Sequence, residues 1–231
     1  MIISEQDAHH ISKVLRLQVG DSIVVVASDG QAGTARIKEL TADQVKLLLE
    51  GNLEEEKEAP IHVYLAQGLP KSDKMDYIIQ KAVELGVSAV YPIEMDHCVV
   101  QYDNAKKNAR RERWQKISAE AAKQCGRTRV PSVESIQGLA GLFSSLPDGV
   151  VVIMLYEGQA SQGLKQALAE KPATSYLLLV GPEGGFSSKE VATCQEYGAS
   201  IVTMGPRILR TETASLAGVA MIMYEYGDMG G

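Results

Sequence analysis

The sequence predicts an α/β protein in which a mostly parallel sheet with helices on both faces follows a small all-β domain. Three observations predict it. From residue 61 onward, short apolar runs of strand type alternate with segments of helical apolar spacing, the pattern of a parallel sheet covered by crossover helices. Before residue 60 there are only short strand-like runs separated by turn residues. Between the two, Leu53-Glu54-Glu55-Glu56-Lys57-Glu58-Ala59-Pro60 has little to bury and ends in proline, so it reads as a linker. The boundary is placed there, with residues 1–60 in one domain and 61–231 in the other.

In the first domain Ser22 to Ala27, Gly33 to Lys38 and Val45 to Glu50 read as strands, with Asp29-Gly30 and Ala42-Asp43 as turn signals. A small β-barrel or sheet is expected. The second domain opens on a strand, Ile61 to Gln67. Ser72 then precedes Met75, Ile78, Ile79, Ala82 and Val83 at helical spacing, and Gly86 stops the helix. Val87 to Ile93, Val150 to Leu155, Tyr176 to Val180 and Ala199 to Met204 are the further strands. Helices fall between and after them, at Asn104 to Gln124, Leu139 to Ser145, Gln162 to Glu170, Ser187 to Tyr197 and Thr213 to Tyr226. Ser187-Ser188-Lys189-Glu190 is a capping box, in which the hydroxyl takes a free amide of the first turn and the glutamate reaches back.

Composition narrows the class. An apolar fraction of 45% over 231 residues is that of a folded chain, not a disordered one. Cys98, Cys125 and Cys194 lie far apart with no C-x-x-C pair, so neither a disulfide framework nor a zinc ribbon is expected, and a reducing cytoplasm fits. Met1-Ile2-Ile3-Ser4-Glu5 lacks the basic start and apolar core of a signal peptide, and no apolar run reaches membrane-spanning length. No membrane association is expected. The net charge of -6 argues against a nucleic-acid partner, but from Asn104 to Arg129 nine basic residues face only Glu112 and Glu120, a local charge of +7. A solvated helix face is the plain reading of that run; a phosphate-binding surface is the functional one.

Two stretches point to a ligand. Gly181-Pro182-Glu183-Gly184-Gly185-Phe186 and Gly205-Pro206-Arg207-Ile208-Leu209-Arg210-Thr211-Glu212-Thr213-Ala214 each follow a strand-type run and lead into a helix. Gly-Pro turns at the carboxyl ends of two neighbouring strands lie where an open α/β sheet binds its ligand, and glycine lets the backbone come close. The loops lack the Gly-Lys-Ser/Thr ending of a nucleoside-triphosphate loop, and no G-x-G-x-x-G follows the first strand. His9 and His10 are adjacent rather than on one helical face, and His62 and His97 stand apart, so no metal site is expected. G-x-S-x-G is absent. The residues alone reach an α/β protein with a glycine-lined pocket and a basic segment.

Five stretches, in order, resemble the bacterial small-subunit ribosomal RNA methyltransferases that form 3-methyluridine, a branch of the SPOUT superfamily. They are His9-His10-Ile11-Ser12-Lys13-Val14-Leu15-Arg16, Lys71-Ser72-Asp73-Lys74-Met75 through Gln80 to Val87, Trp114-Gln115-Lys116-Ile117 through Glu120 to Arg127, and the two glycine loops above. The resemblance spans nearly the whole chain. It implies a PUA-like N-terminal β-barrel for RNA and a catalytic domain whose last segment threads a deep trefoil knot, a feature composition does not suggest. It also implies S-adenosyl-L-methionine bound between loops after three strands, held by Leu155, Tyr156, Glu157, Gly181, Pro182, Glu183, Gly184, Gly185, Met204, Gly205, Ile208, Leu209, Thr213 and Ala214. Leu155, Ile201 and Leu209 are expected to form an apolar slot for the adenine, with backbone amides and carbonyls reading its edge.

The reaction so implied is methylation of the N3 of a uridine in 16S ribosomal RNA, by a homodimer acting on the RNA or the small ribosomal subunit. N3 carries a proton and is a poor nucleophile, so the site must favour proton loss and stabilise the charge left on the flanking oxygens. Arg210 is the expected charge stabiliser, and Glu183 or Glu212 the proton acceptor; the alternatives are that Glu212 caps the last helix or pairs with Arg210, and that Glu183 fixes its loop. His10, Lys13 and Arg16, at three-residue spacing on one face of a helix, together with Lys71, Lys74, Arg127 and Arg129, are expected to contact RNA. The family usually has an extra strand-forming segment before the His-His motif, where this chain has eight residues, so the barrel is expected to lack its first strand. The rival readings are a SPOUT methyltransferase acting on another RNA and a non-enzymatic RNA-binding factor of ribosome assembly.

Overall fold

The computed structural model describes residues 2–26, 32–41, 43–52, 58–158, 160 and 162–230. Ala27, the Asp29-Gly30 turn, Ala42 and the linker residues Leu53 to Lys57 lie outside them. The chain divides into two compact units, Met1–Lys57 and Glu58–Gly231. Among the described residues no helix is long and apolar enough to cross a membrane.

The first unit contains β1 (Ile2–Ser4), α1 (Glu5–His9), a turn of π-helix (His10–Val14), β2 (Ser22–Val26), β3 (Ala32–Leu40) and β4 (Gln44–Asn52). The four strands form an antiparallel sheet in the order β1-β4-β3-β2. Alternate residues point inward, so Val25, Ala35, Ile37, Val45 and Leu47 make a core that Ala8 and Ile11 close from the helical side. A three-residue strand precedes the His9-His10 motif, with Ile2, Ile3 and Ser4 pairing with Lys46, Val45 and Gln44. One expectation changes here. The helix that was to align His10, Lys13 and Arg16 does not continue: His10 and Lys13 lie in the wider π turn, and Arg16 follows it in a left-handed conformation at φ 54°.

The second unit runs β5 (His62–Gly68), α2 (Lys74–Glu84), β6 (Ala89–Ile93), α3 (Asn104–Cys125), β7 (Ser132–Val133), α4 (Leu139–Ser145), β8 (Val151–Leu155), β9 (Gln162–Gly163), α5 (Leu164–Glu170), β10 (Ser175–Val180), α6 (Ser188–Glu196), β11 (Ser200–Thr203) and α7 (Thr211–Tyr226). All seven strands are parallel, in the order β7-β6-β5-β10-β8-β11-β9. Strand alternation divides the core in two. Tyr176, Leu178 and Val180 of β10 pack under α2, α3, α5 and α7, while Leu177 and Leu179 pack under α4 and α6.

The capping box forms, with Ser187 Oγ accepting from the Glu190 amide at 3.3 Å and the Ser187 amide donating to Glu190 Oε2 at 2.8 Å. Three sequence expectations shift. Gln162 and Gly163 pair with β11 instead of starting a helix, because Gly163 is extended and α5 begins after it. The last helix starts at Thr211 rather than Thr213, with Arg210 as its extended cap residue. The strands that carry the two glycine loops are successive in the chain but not neighbours, since β8 lies between β10 and β11.

Candidate active site at the carboxyl ends of three strands

Because β8, β10 and β11 are parallel and adjacent, the loops that follow them open on the same edge of the sheet. These loops, with the start of α7, line a cavity of about 420 Å³. Of the residues expected to hold the cofactor, Leu155, Tyr156, Glu157, Gly181, Pro182, Glu183, Gly185, Met204, Gly205, Ile208, Leu209 and Ala214 line it. Gly184 and Thr213 do not. Gly184 turns toward His97, whose Nδ1 lies 2.9 Å from its carbonyl oxygen, and Thr213 is exposed on the first turn of α7. The apolar slot is also revised: Ile201 is packed into the core on the α4 and α6 side, and the alternation of β11 gives the lining position to Val202. Gly205, at φ +110°, makes the turn out of β11 in a conformation that a side chain disfavours.

The charged groups converge at one place. Lys74, the first residue of α2, puts its ammonium 3.0 Å from Glu183 Oε1 and 3.1 Å from Glu212 Oε2. The Lys71 amide donates to both Glu183 oxygens at 3.2 Å. Glu212 Oε2 is buried and has this ion partner but no hydrogen-bond donor, so the ammonium meets it off the hydrogen-bond direction. Burial alone would raise both glutamates. For Glu183 the Lys74 ammonium and the amide bonds outweigh it and hold the carboxyl below its ordinary range. For Glu212 its own amide at the start of α7, Lys74 and then Arg210 do the same. Lys74 in turn is raised by the two carboxylates that face its ammonium and stays protonated. Arg210 is exposed and lines the cavity from the cap position of α7.

Beneath this lies a buried polar network the sequence reading did not single out. Gln67, at the end of β5, donates from Nε2 to Thr211 Oγ1 and to the Gly68 carbonyl, both at 2.9 Å. Thr211 Oγ1 donates to the Gly181 carbonyl at 2.6 Å. Ser215 Oγ lies within reach of both Gln67 Oε1 and the Thr211 carbonyl, and its single proton serves one at a time. The network ties β5, the loop after β10 and α7 into one support. A glutamine closing the apolar run of Ile61 to Gln67 was its only signal in the sequence.

Residues expected to contact RNA are placed differently from one another. Arg127 is corrected: it is 9% exposed, with Nη2 2.6 Å from Glu58 Oε2 and Nη1 donating to the carbonyls of Val83 and Val87 at 3.0 and 2.8 Å. It is a buried structural ion, because the end of α3 turns inward at Gly126, φ 75°. Arg129 is exposed, and its amide donates to Glu58 Oε1 at 3.0 Å. Lys71 is exposed beside the cavity, whereas Lys74 lines the cavity itself, paired with the two glutamates. His10, Lys13 and Arg16 are exposed on the first unit. Much of the charge on α3 is matched within the molecule: Lys107 meets Glu94 at 2.6 Å, Arg113 meets Asp76, and Arg110 lies 3.9 Å from Asp73. Lys106 and Arg110 also flank the Tyr102 ring, at 5.1 and 5.7 Å. Among the described residues no three His, Cys, Asp or Glu side chains are grouped as metal ligands would be.

Comparison with known proteins agrees with this arrangement. The RNA methyltransferase domain family matches residues 57–223, and the RNA methyltransferase PUA domain family matches residues 3–50. The ribosomal RNA small subunit methyltransferase E of Bacillus subtilis is 38% identical over 228 residues, covering 96% of this chain and 89% of that protein. The crystal structure of a ribosomal RNA small subunit methyltransferase E from Neisseria gonorrhoeae bound to S-adenosyl methionine superposes with a TM-score of 0.88 at 32% identity, over 99% of this chain and 93% of that one. A Legionella pneumophila structure in complex with the cofactor SAM superposes with a TM-score of 0.85 at 28% identity, over 99% and 93%. The chain belongs to the ribosomal RNA small subunit methyltransferase E family, within the SPOUT superfamily.

Proposed function

We propose that this protein methylates N3 of a uridine in 16S ribosomal RNA, using S-adenosyl-L-methionine, as a cytoplasmic homodimer acting on the RNA or the small ribosomal subunit. The observation that carries the reading is the cavity itself: three parallel strands deliver their loops, two of them glycine turns, to one edge, in a chain superposing at 0.88 on a relative bound to S-adenosyl methionine. The residues present fit that cofactor. About 420 Å³ is within the size range of small-molecule sites. Leu155, Val180, Val202 and Leu209 offer an apolar slot for the adenine ring, and the Gly181 to Gly185 and Met204 to Leu209 loops offer backbone groups for its edge.

Bound there, S-adenosylmethionine supplies a methyl group on a sulfonium. The chain must then orient the uracil and favour loss of the N3 proton. Arg210, exposed at the cavity, stabilises charge on the ring oxygens flanking N3. Of the two carboxylates Glu183 lines the cavity and Glu212 does not. Both are held below the ordinary carboxylate range and are weak bases at neutral pH, so they act mainly through their charge. RNA contacts come from Lys71, Lys106 and Arg129 on the second unit and His10, Lys13 and Arg16 on the first, all exposed. Met221 and Tyr224 on α7 are 47% and 67% exposed and Ile208 is 83% exposed, apolar surface of the kind a second copy covers. The knot is proposed as the path of α7, which follows the edge strands yet packs back on β5 and β10 at the middle of the sheet.

Calorimetry with S-adenosylmethionine separates this reading from a non-enzymatic assembly factor, which would bind none. Arg210→Ala is expected to lower methyl transfer about 100-fold while changing cofactor affinity far less. Unchanged turnover in Arg210→Ala would remove it from the chemistry.

A further inference from the structure

The Lys74 bridge leaves hydrogen-bonding capacity unused at the cavity. An ammonium has three N–H donors, and two carboxylate oxygens take at most two of them. The Lys74 side chain is 32% exposed and lines the same cavity as Arg210, so a donor remains for a group placed in it. The ammonium is fixed by elements that cannot easily drift: Glu183 is anchored by the Lys71 amide, and Glu212 stands on the first turn of α7 above the Gln67 network. Besides these two carboxylates, Arg210 acts on Glu212 in the same cluster, and Asp73, next to Lys74 in the chain, lies 3.9 Å from Arg110.

We propose that Lys74 is a catalytic residue: its free N–H donates to the uracil oxygen beside N3, sharing with Arg210 the charge of the deprotonated ring. Glu183 and Glu212 hold Lys74 charged and in place and do not take the proton. The N3 proton leaves to solvent water. The electron pair left on N3 forms the bond to the methyl carbon, and the pair of the broken carbon–sulfur bond stays with sulfur, which becomes a neutral thioether. The inference rests on the uridine-N3 reading, since only loss of that proton calls for a second cation at the ring oxygens.

The test measures kcat against pH for the full-length protein and its Lys74→Met and Lys74→Arg variants on small ribosomal subunits lacking the modification, with nucleoside analysis of the product. Cofactor affinity is measured by calorimetry. Lys74→Met is expected to lower kcat about 100-fold at neutral pH. Its deficit should shrink as rising pH removes the N3 proton unaided, with cofactor affinity within about threefold of wild type, and Lys74→Arg should restore most of the rate. Wild-type kcat in Lys74→Met overturns the proposal. So does a loss of cofactor affinity that matches the loss of rate and does not recover with pH, the mark of a bridge that only orders the loops. If the unaltered protein methylates a nucleoside other than uridine, the functional reading falls first and this proposal with it.

Discussion

Arg127 and Lys74 show how little a basic residue's sequence context says about its task. Both sit in family-like motifs and both read as RNA contacts, yet one is buried on Glu58 and the other bridges two glutamates. What decides is which acids the fold brings near, at separations of 69 residues for Arg127 and more than 100 for Lys74, which no local pattern displays. Replacing Arg127 by alanine leaves the Glu58 carboxylate buried without its partner, and urea unfolding is expected to show a loss of about 3–5 kcal/mol. The Lys74 cluster has a pH signature. Glu183 and Glu212 are lowered in the folded state, so their contribution is present above the unfolded carboxylate value of about 4.3 and is lost as pH falls through the lower folded values. Melting temperatures below about pH 5 should therefore fall more steeply for the wild type than for Lys74→Met, the two curves converging in acid. Parallel curves would mean the bridge carries no such coupling.

Elements were legible where a period had room to repeat. The apolar spacing of α2 and the capping box of α6 were readable because each is local. Two-residue strands β7 and β9 have no period, and the start of α7 was hidden because Thr211 earns its place through Gln67 and the Gly181 carbonyl, not through its neighbours. α7 is the element on which the site depends, since it carries Arg210 at its cap and Glu212 in its first turn. It lies close on the sheet because Gly218 has no side chain: a Cβ there would stand 2.6 Å from Leu178 Cδ2 and 3.3 Å from Leu155 Cδ1. Gly218→Val is expected to destabilise by about 1–3 kcal/mol and, by lifting α7 and crowding Leu155, to weaken cofactor binding in calorimetry. Unaltered affinity would show that the position of α7 does not govern the cavity.

At the scale of the molecule, alternation of strand and helix was enough to predict a parallel sheet, and two Gly-Pro loops were enough to point to the edge of the sheet where the cavity opens. The strand order was not readable, and it matters: β8 between β10 and β11 turns two loops into three and builds the wall with Leu155, Tyr156 and Glu157. Order in a parallel sheet is set by how crossover helices pack on its two faces, information spread over the whole second unit. The net charge of -6 was likewise a poor guide to partners, because the acids at Asp73, Asp76, Glu94 and Glu58 are spent on α3 and its end. The central claim is the transfer of a methyl group to uridine N3 in 16S ribosomal RNA. It is tested most directly by nucleoside analysis of 16S ribosomal RNA from cells lacking this protein, before and after incubation of their small subunits with the purified protein and S-adenosylmethionine. The account predicts that 3-methyluridine alone is missing and that incubation restores it; 3-methyluridine at its normal level in those cells would contradict it.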